Sequence, residues 1–210
     1  MTAAGPLRVV GTGDPSALDD AASALAAGMV VAIPTDTVYG LAAAVDRPEA
    51  MAAIFAAKDR PSGLALPVLV GRWRQARGVA GTWPRTASVL AARFWPGALT
   101  VVVPVDPSLG ASLGGNGTSV GLRRPRHRFV RALCDKAGPL ATTSANRHGA
   151  PPCTTAAEVR DAFGPGDLAL VVDGGVCDGR PSTVVDCTVT PPACLREGAI
   201  PWSWIEASLR

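Results

Sequence analysis

The residues of this chain that could do chemistry are cations and hydroxyls placed where apolar stretches end. Lys58-Asp59-Arg60-Pro61 sets two cations two positions apart, at a proline that stops a helix, so both heads can converge on one anion. Ser119-Val120-Gly121-Leu122-Arg123-Arg124-Pro125 puts arginines at a strand end, where a guanidinium can hold a carboxylate through two parallel hydrogen bonds. Thr142-Thr143-Ser144-Ala145-Asn146 closes another apolar run with hydroxyl and amide groups. Ser182-Thr183-Val184 and Arg196-Glu197-Gly198 add a further hydroxyl and a further guanidinium. Such an inventory suits the binding of anions, phosphates included.

Each motif also has a purely structural reading. Cations at a helix C-terminus offset the macrodipole by about 0.3–1 kcal/mol, residues 142–146 could be a turn closed by an Asx hydrogen bond, and Arg123 could form a surface ion pair. Gly11-Thr12-Gly13-Asp14-Pro15-Ser16 partly matches a dinucleotide fingerprint. Its third glycine is Ser16, however, and Asp14 brings negative charge where a pyrophosphate would dock, so the capped-turn reading is preferred over a dehydrogenase. No G-x-x-x-x-G-K-[ST], G-x-S-x-G or H-E-x-x-H occurs. A phosphate site must therefore be assembled from separate parts of the chain.

The elements that must position these parts alternate. Strands are predicted at 7–10, 30–33, 66–70, 99–105, 119–122, 140–143, 168–172 and 183–186. Helices are predicted at 15–27 with Asp14 as N-cap, from Asp46 with a capping-box Glu49 to a stop at Pro61, and at 85–94, 129–136, 155–163 and 204–209. The glycine-rich stretch 110–117 reads as a mobile loop. Pro34-Thr35-Asp36-Thr37-Val38-Tyr39-Gly40-Leu41 follows an apolar strand, the place where α/β sheets put ligand sites. Interleaved elements without a linker or repeat predict a single α/β domain over 1–210, with its core at about 15–200 and a twisted, mixed parallel and antiparallel sheet flanked by helices.

Composition narrows the class further. Of 210 residues 18% are charged and 48% hydrophobic, which excludes a disordered chain, while 23 glycines and 19 prolines argue against a helical bundle. A net charge of +3 is too small to indicate nucleic acid or an anionic membrane. The basic residues are 18 arginines and two lysines, Lys58 and Lys136, so few lysines are available for chemistry. Five cysteines without a C-x-x-C pair predict reduced, mostly buried thiols. With no leader-like or membrane-spanning apolar run, a cytoplasmic protein without membrane contact is expected.

Taken together and in this order, the string PTDTVYGL at 34–41, Lys58-x-Arg60, Phe94-Trp95-Pro96-Gly97-Ala98-Leu99-Thr100, Ser144-x-Asn146, Ser182-Thr183-Val184 and Arg196-x-Gly198 resemble the YrdC family over nearly the whole chain. The resemblance is to a short form without a C-terminal extra domain. It implies a YrdC-like fold and a nucleotidyltransferase, a threonylcarbamoyl-AMP (L-threonylcarbamoyladenylate) synthase. Such an enzyme combines L-threonine, bicarbonate and ATP, with Mg²⁺, releases pyrophosphate, and supplies threonylcarbamoyladenosine at position 37 of tRNA. By matched position, Thr37, Arg123, Ser144 and Ser182 would hold L-threonine, and Lys58, Arg60, Ser119, Asn146, Thr154 and Arg196 would contact ATP. Lys58 and Arg60 would be catalytic, facing the phosphates as exposed groups at a helix end, and the metal ligands are left unassigned.

A carbamate oxygen attacking the α-phosphorus is already anionic, so the step needs charge neutralisation and positioning rather than a histidine base. His127 and His148 accordingly read as incidental surface residues. Many relatives carry an asparagine and a histidine where this chain has Leu64 and Leu69, which puts one ATP contact and one threonine contact in question. The implied partners are downstream tRNA threonylcarbamoyl transferase proteins and weakly bound RNA. Two alternatives are an RNA-binding YrdC-like module without catalysis and a paralogue, motivated by Leu69, that makes a different carbamoyl adenylate.

Overall fold

In the computed structural model, which describes residues 6–58, 65–115, 117–147 and 149–210, the elements run as follows. The first half holds β1 (Val9–Gly11), α1 (Ala17–Ala26), β2 (Val31–Ile33), β3 (Gly40–Ala44), α2 (Pro48–Ala57), β4 (Val68–Leu69), α3 (Trp73–Val79), α4 (Arg85–Phe94) and β5 (Leu99–Pro104). The second holds α5 (Pro107–Leu113), β6 (Ser119–Arg123), α6 (Arg128–Ala137), β7 (Leu140–Ser144), α7 (Ala156–Ala162), β8 (Leu170–Asp173), β9 (Thr183–Asp186), β10 (Ala193–Arg196) and α8 (Trp202–Ala207).

The ten strands of the described residues join one mixed sheet in the order β1-β8-β2-β3-β7-β4-β6-β5-β9-β10. Pairing is parallel at β1/β8, β8/β2, β4/β6 and β5/β9 and antiparallel elsewhere. This is the mixed α/β architecture the alternation of elements predicts. Fully apolar β2 is buried along its length, as a central strand covered on both faces must be.

The two faces of the sheet are covered unequally. One carries a continuous core that takes in Met51 and Ile54 of α2, Leu90 and Ala91 of α4, Val159 of α7 and Ile205 of α8. The other is covered by α1, through Ala21 and Leu25, and by α6, through Val130, Leu133 and Cys134. These two helices pack on Val10, Val31, Ile33, Ala42, Leu69, Leu140, Leu170 and Val172. Because strand side chains alternate between faces, Arg123, Thr100, Val102 and Gly121 lie on this second face too, but beyond α6, where the face opens into a cavity.

Several local expectations need correction. Asp46 does not cap α2, which starts at Pro48 with no side-chain cap; proline in the first turn supplies a preset φ instead. The capping box occurs at α7, where Thr155 and Glu158 cap each other's backbone. The 110–117 stretch is not simply a loop: α5 runs through Leu113, started by Asp106, which accepts from Ser108 N at 2.9 Å, and Gly110 is buried. α3, β3 and β10 have no counterpart in the predicted elements. β3 is Gly-Leu-Ala-Ala-Ala, with no β-branched residue, and β10 is exposed at every position, so neither shows strand periodicity. The stop at Pro61 lies outside the described residues, and α2 ends at Ala57.

Candidate active site

The site is built first on the loop that carries PTDTVYGL between β2 and β3. Thr35 Oγ1 accepts from the backbone N–H groups of Thr37 (3.0 Å) and Val38 (3.2 Å) and donates to the Val38 carbonyl (2.7 Å), closing a tight turn from within. Tyr39 is fully buried; its hydroxyl donates to the Gly175 carbonyl (2.9 Å) and accepts from Gly174 N (3.1 Å), which ties the loop to the segment after β8. Burial raises its pKa to about 12, so it stays a neutral strut. The turn presents Asp36 and Thr37 to the end of β6.

There they meet Arg123. Its Nη2 donates to Asp36 Oδ1 (2.8 Å), its Nη1 to Thr37 Oγ1 (2.8 Å) and its Nε to the Gly97 carbonyl (3.0 Å), so all three nitrogens of the planar fork are held by acceptors from two chain segments. Only 6% of Arg123 is exposed. Burial pulls its pKa down, Asp36 opposes this, and nearby Arg196 adds to it. Sequence reasoning gave Asp36 no role, since nothing in its spacing announces a partner 87 residues away.

Arg196, from β10, turns back to donate through Nε (3.1 Å) and Nη2 (2.9 Å) to the Ser182 carbonyl. Ser182 Oγ lies 2.9 Å from Thr100 Oγ1 and within 3.3 Å of Arg196 Nη2. Burial lowers the Arg196 pKa. Two guanidiniums are thus directed at one space, each partly stripped of water.

That space is a cavity of about 510 Å³, within the usual range for small-molecule sites. Thr37, Ser119, Arg123, Ser144, Ser182 and Arg196, six of the residues singled out from sequence, line it. Among the described lining residues there is no carboxylate; Asp36 lies behind Arg123. Leu69 also lines the cavity, 4% exposed.

Lys58, Asn146 and Thr154 stand outside the lining. Lys58 Nζ donates to the Ser144 carbonyl and to Asn146 Oδ1 (2.9 Å), while Ser144 Oγ donates to the same Asn146 oxygen (2.6 Å). Asn146 Nδ2 closes the turn on the carbonyls of Arg147 and Ala150, both at 2.9 Å. Contrary to expectation Lys58 is only 4% exposed, because the turn after β7 lies across the C-terminal end of α2. It sits directly behind the cavity wall formed by Ser144. Thr154 Oγ1 donates to Glu158 (3.1 Å) as part of the α7 cap. Arg60 and Leu64 lie outside the described residues.

His127 is only partly at the surface. It is half-buried, its Nδ1 is buried without a hydrogen-bond partner, and burial lowers its pKa, opposed by Asp36 and reinforced by Arg131. His148 lies outside the described residues. Of the cysteines, none is in a disulfide: Cys134, Cys153 and Cys187 are buried, Cys177 is partly so, and Cys194 is exposed. Among the described residues no group of three His, Cys, Asp or Glu could hold a metal ion, and no helix is long and apolar enough to cross a membrane.

Residues 23–198 match the Sua5/YciO/YrdC family, described as telomere recombination. A Mycobacterium tuberculosis protein is 39% identical over 181 residues, 86% of this chain and 83% of its own. The Bacillus subtilis threonylcarbamoyl-AMP synthase is 39% identical over 199 residues, 93% of this chain and 57% of its own. The crystal structure of Pyrococcus abyssi Sua5 complexed with L-threonine superposes with a TM-score of 0.90 at 36% identity, covering 96% of this chain and 60% of that one. This chain therefore spans about three-fifths of the archaeal protein it matches. Escherichia coli YciO, at 22% identity and a TM-score of 0.82, shares the fold. With its motifs, its sheet and 176 of its residues matched, the chain belongs to the Sua5/YciO/YrdC family.

Proposed function

We propose that this chain is a threonylcarbamoyl-AMP synthase, a nucleotidyltransferase that joins L-threonine, bicarbonate and the adenylyl group of ATP. The observation that carries the reading is the cavity in which Arg123 and Arg196 converge among hydroxyls, with no carboxylate among its described lining residues. Both substrates are anions, and two partly dehydrated guanidiniums favour anions strongly. The structural relative bound to L-threonine supports the choice of amino acid.

L-Threonine is placed by its carboxylate at Arg123 and by its hydroxyl among Thr37, Ser144 and Ser182. A site that hydrogen-bonds the hydroxyl rejects valine more sharply than an apolar pocket would. The neutral threonine amine adds to the carbon of bicarbonate; the N–C bond forms as the C–OH bond breaks, and the hydroxyl leaves with one amine proton as water, giving the carbamate, whereas from CO₂ that proton passes to solvent. A carbamate oxygen then bonds to the α-phosphorus as the bond from that phosphorus to the β-phosphate oxygen breaks, and the electron pair leaves with pyrophosphate. No proton must be removed from the attacking oxygen.

The chain's part is to hold the two anions in line and to neutralise charge on the departing pyrophosphate. We assign that role to Lys58 and Arg60, with Ser119, Asn146 and Arg196 placing the nucleotide. Thr154 would serve through the turn it caps rather than by its own hydroxyl, which is engaged with Glu158. Mg²⁺ fits here as part of the substrate, held by phosphate oxygens and water, because the described cavity wall offers hydroxyls and cations rather than the carboxylates a resident ion prefers. The product is a mixed anhydride, so a downstream transferase acting on tRNA is the partner its reactivity calls for.

The test is pyrophosphate release by the purified protein with Mg-ATP and bicarbonate, with and without L-threonine, and mass detection of the adenylate. Threonine-dependent release with the expected mass is the predicted result. Release with another amino acid alone would point to the paralogue reading, and salt-sensitive RNA binding without any release to the RNA module.

A further inference from the structure

The strand that supplies Arg196 is irregular. Ala193 pairs with Asp186 and Cys194 with Val185, but the next partner, Val184, is opposed by Arg196, which leaves Leu195 as an extra residue. In a regular strand adjacent side chains point to opposite faces; a bulge re-aims one of them. Here Leu195 and Arg196, neighbours in sequence, both line the cavity. Leu195 is 58% exposed. A lone exposed leucine is ordinary, whereas one turned into a ligand cavity by a bulge calls for an occupant.

The end of the strand is pinned. Arg196 is bonded to Ser182, Gly198 N donates to Thr183 Oγ1 at 3.0 Å, and a Cβ on Gly198 would collide with the Pro181 carbonyl. Leu195 therefore stands at a fixed place on the rim. The sheet residues beneath form a flat apolar strip: Gly121 is paired with Val102, Pro67 lies beside Gly121, and Val184 of β9 extends the strip toward Leu195. A Cβ on Gly121 would stand 2.9 Å from Thr100 Cγ2 and 3.4 Å from Pro67 Cβ. Glycine thus keeps the strip low where it is most crowded. Pro67, Gly121, Val102 and Val184 offer no hydrogen-bonding side chain, and Thr100, which pairs with Val184 among them, has its hydroxyl engaged with Ser182 Oγ, at the polar end formed by Thr37, Arg123 and Ser182.

We propose that Leu195 is a specificity-determining residue that covers the purine ring of ATP, laid flat on Pro67, Gly121, Val102 and Val184. A planar ring with two apolar faces fits between a flat strip and a branched alkyl group, while threonine and the phosphates need the polar end. The inference rests on ATP being the substrate, as proposed above, and adds the residue that grips its base.

Initial rates for the wild type, Leu195→Ala and Leu195→Met test it. Removing partly covered methyl groups is expected to raise the KM for ATP about fivefold in the alanine variant, with the KM for L-threonine unchanged and methionine restoring the wild-type value. Calorimetry should show weakened AMP binding in the alanine variant and unaltered binding of pyrophosphate. An unchanged ATP KM and AMP affinity in Leu195→Ala, alongside an active wild type, would overturn the Leu195 role and leave the synthase reading in place. Equal rises in both KM values would also overturn it. A wild type that releases no pyrophosphate and binds no AMP would overturn both.

Discussion

One face of the sheet is built in two ways. Under α1 and α6 it is packed with Val31, Ile33, Ala42, Leu140, Leu170 and Val172. Beyond α6 the same alternation presents Thr100, Gly121, Arg123 and Ser182 to a cavity. The strands continue across the boundary, and Leu69 belongs to both halves, touching the helix-covered core and lining the cavity. The difference teaches that the strand scaffold is indifferent to its load. What separates core from site is whether a helix covers the face; where none does, hydroxyls and guanidiniums able to exchange hydrogen bonds with water or with an anion stand beside an apolar strip.

The sharpest way to break this comparison is Arg123→Ala. It removes the guanidinium that the 36–37 turn and Gly97 position, and leaves Asp36, its carboxylate 17% exposed, without its partner. Threonine-dependent pyrophosphate release should fall by about a thousandfold, the size of effect seen for a lost charge-stabilising donor, and chemical denaturation should show a loss of about 3 kcal/mol. Arg123→Lys should not restore activity, since an ammonium cannot reproduce the fork. Retained turnover in either variant would mean that the cavity is not the reaction site.

Leu133→Ala, in the covered half, should do the reverse. Leu133 is fully buried, so truncation costs about 3 kcal/mol of stability, while kcat/KM of the folded protein stays within about twofold of wild type. A large catalytic defect at full folding would show that the two halves are coupled.

Lys58→Ala tests the seam between site and core. Because Lys58 is buried against Ser144 and Asn146, its loss should lower turnover about a hundredfold, within the range of positioned charged groups. It should also cost about 1–2 kcal/mol, the price of leaving a buried carbonyl and amide oxygen without a donor. A lysine exposed at a helix end, as the sequence reads it, would carry no such stability cost; the burial of Lys58 adds it.

The smallest effect is at His127, which precedes α6 and faces Asp36. Its pKa in the folded protein is below the ordinary 6.5, so the unfolded chain binds the proton more readily. Stability is therefore fully present above pH 6.5 and declines as pH falls through the folded-state pKa. His127→Gln should flatten that part of a pH-dependent melting profile; an unaltered slope would show that the histidine is not the titrating group.

Much of the framework was legible. The β9 and α4 segments are read at their true bounds because each has a clean period and a clear stop: Leu90 and Ala91 repeat the position of Ala87, and Trp95-Pro96 ends the helix. β3 and β10 were not legible, since alanine and glycine are depleted in strands and an exposed edge carries no pattern. In the site, residue types and order marked six lining positions. They gave no hint of the Asp36–Arg123 pair, the burial of Lys58 or the burial of His127, because each depends on a contact between segments far apart in the chain.

The sequence by itself determined the alternation of strands and helices, the family motifs and an inventory of cations and hydroxyls at the ends of apolar stretches. The alternation and the inventory follow from local periodicity and side-chain type within short windows, and the family motifs from their order along nearly the whole chain. Only the tertiary structure decided which half of a sheet face stays uncovered, which cation is locked to which acceptor, and that a bulge turns Leu195 toward the same space as Arg196. Those outcomes depend on strand order and register, set by the packing of the whole sheet against its helices, and no single segment encodes them.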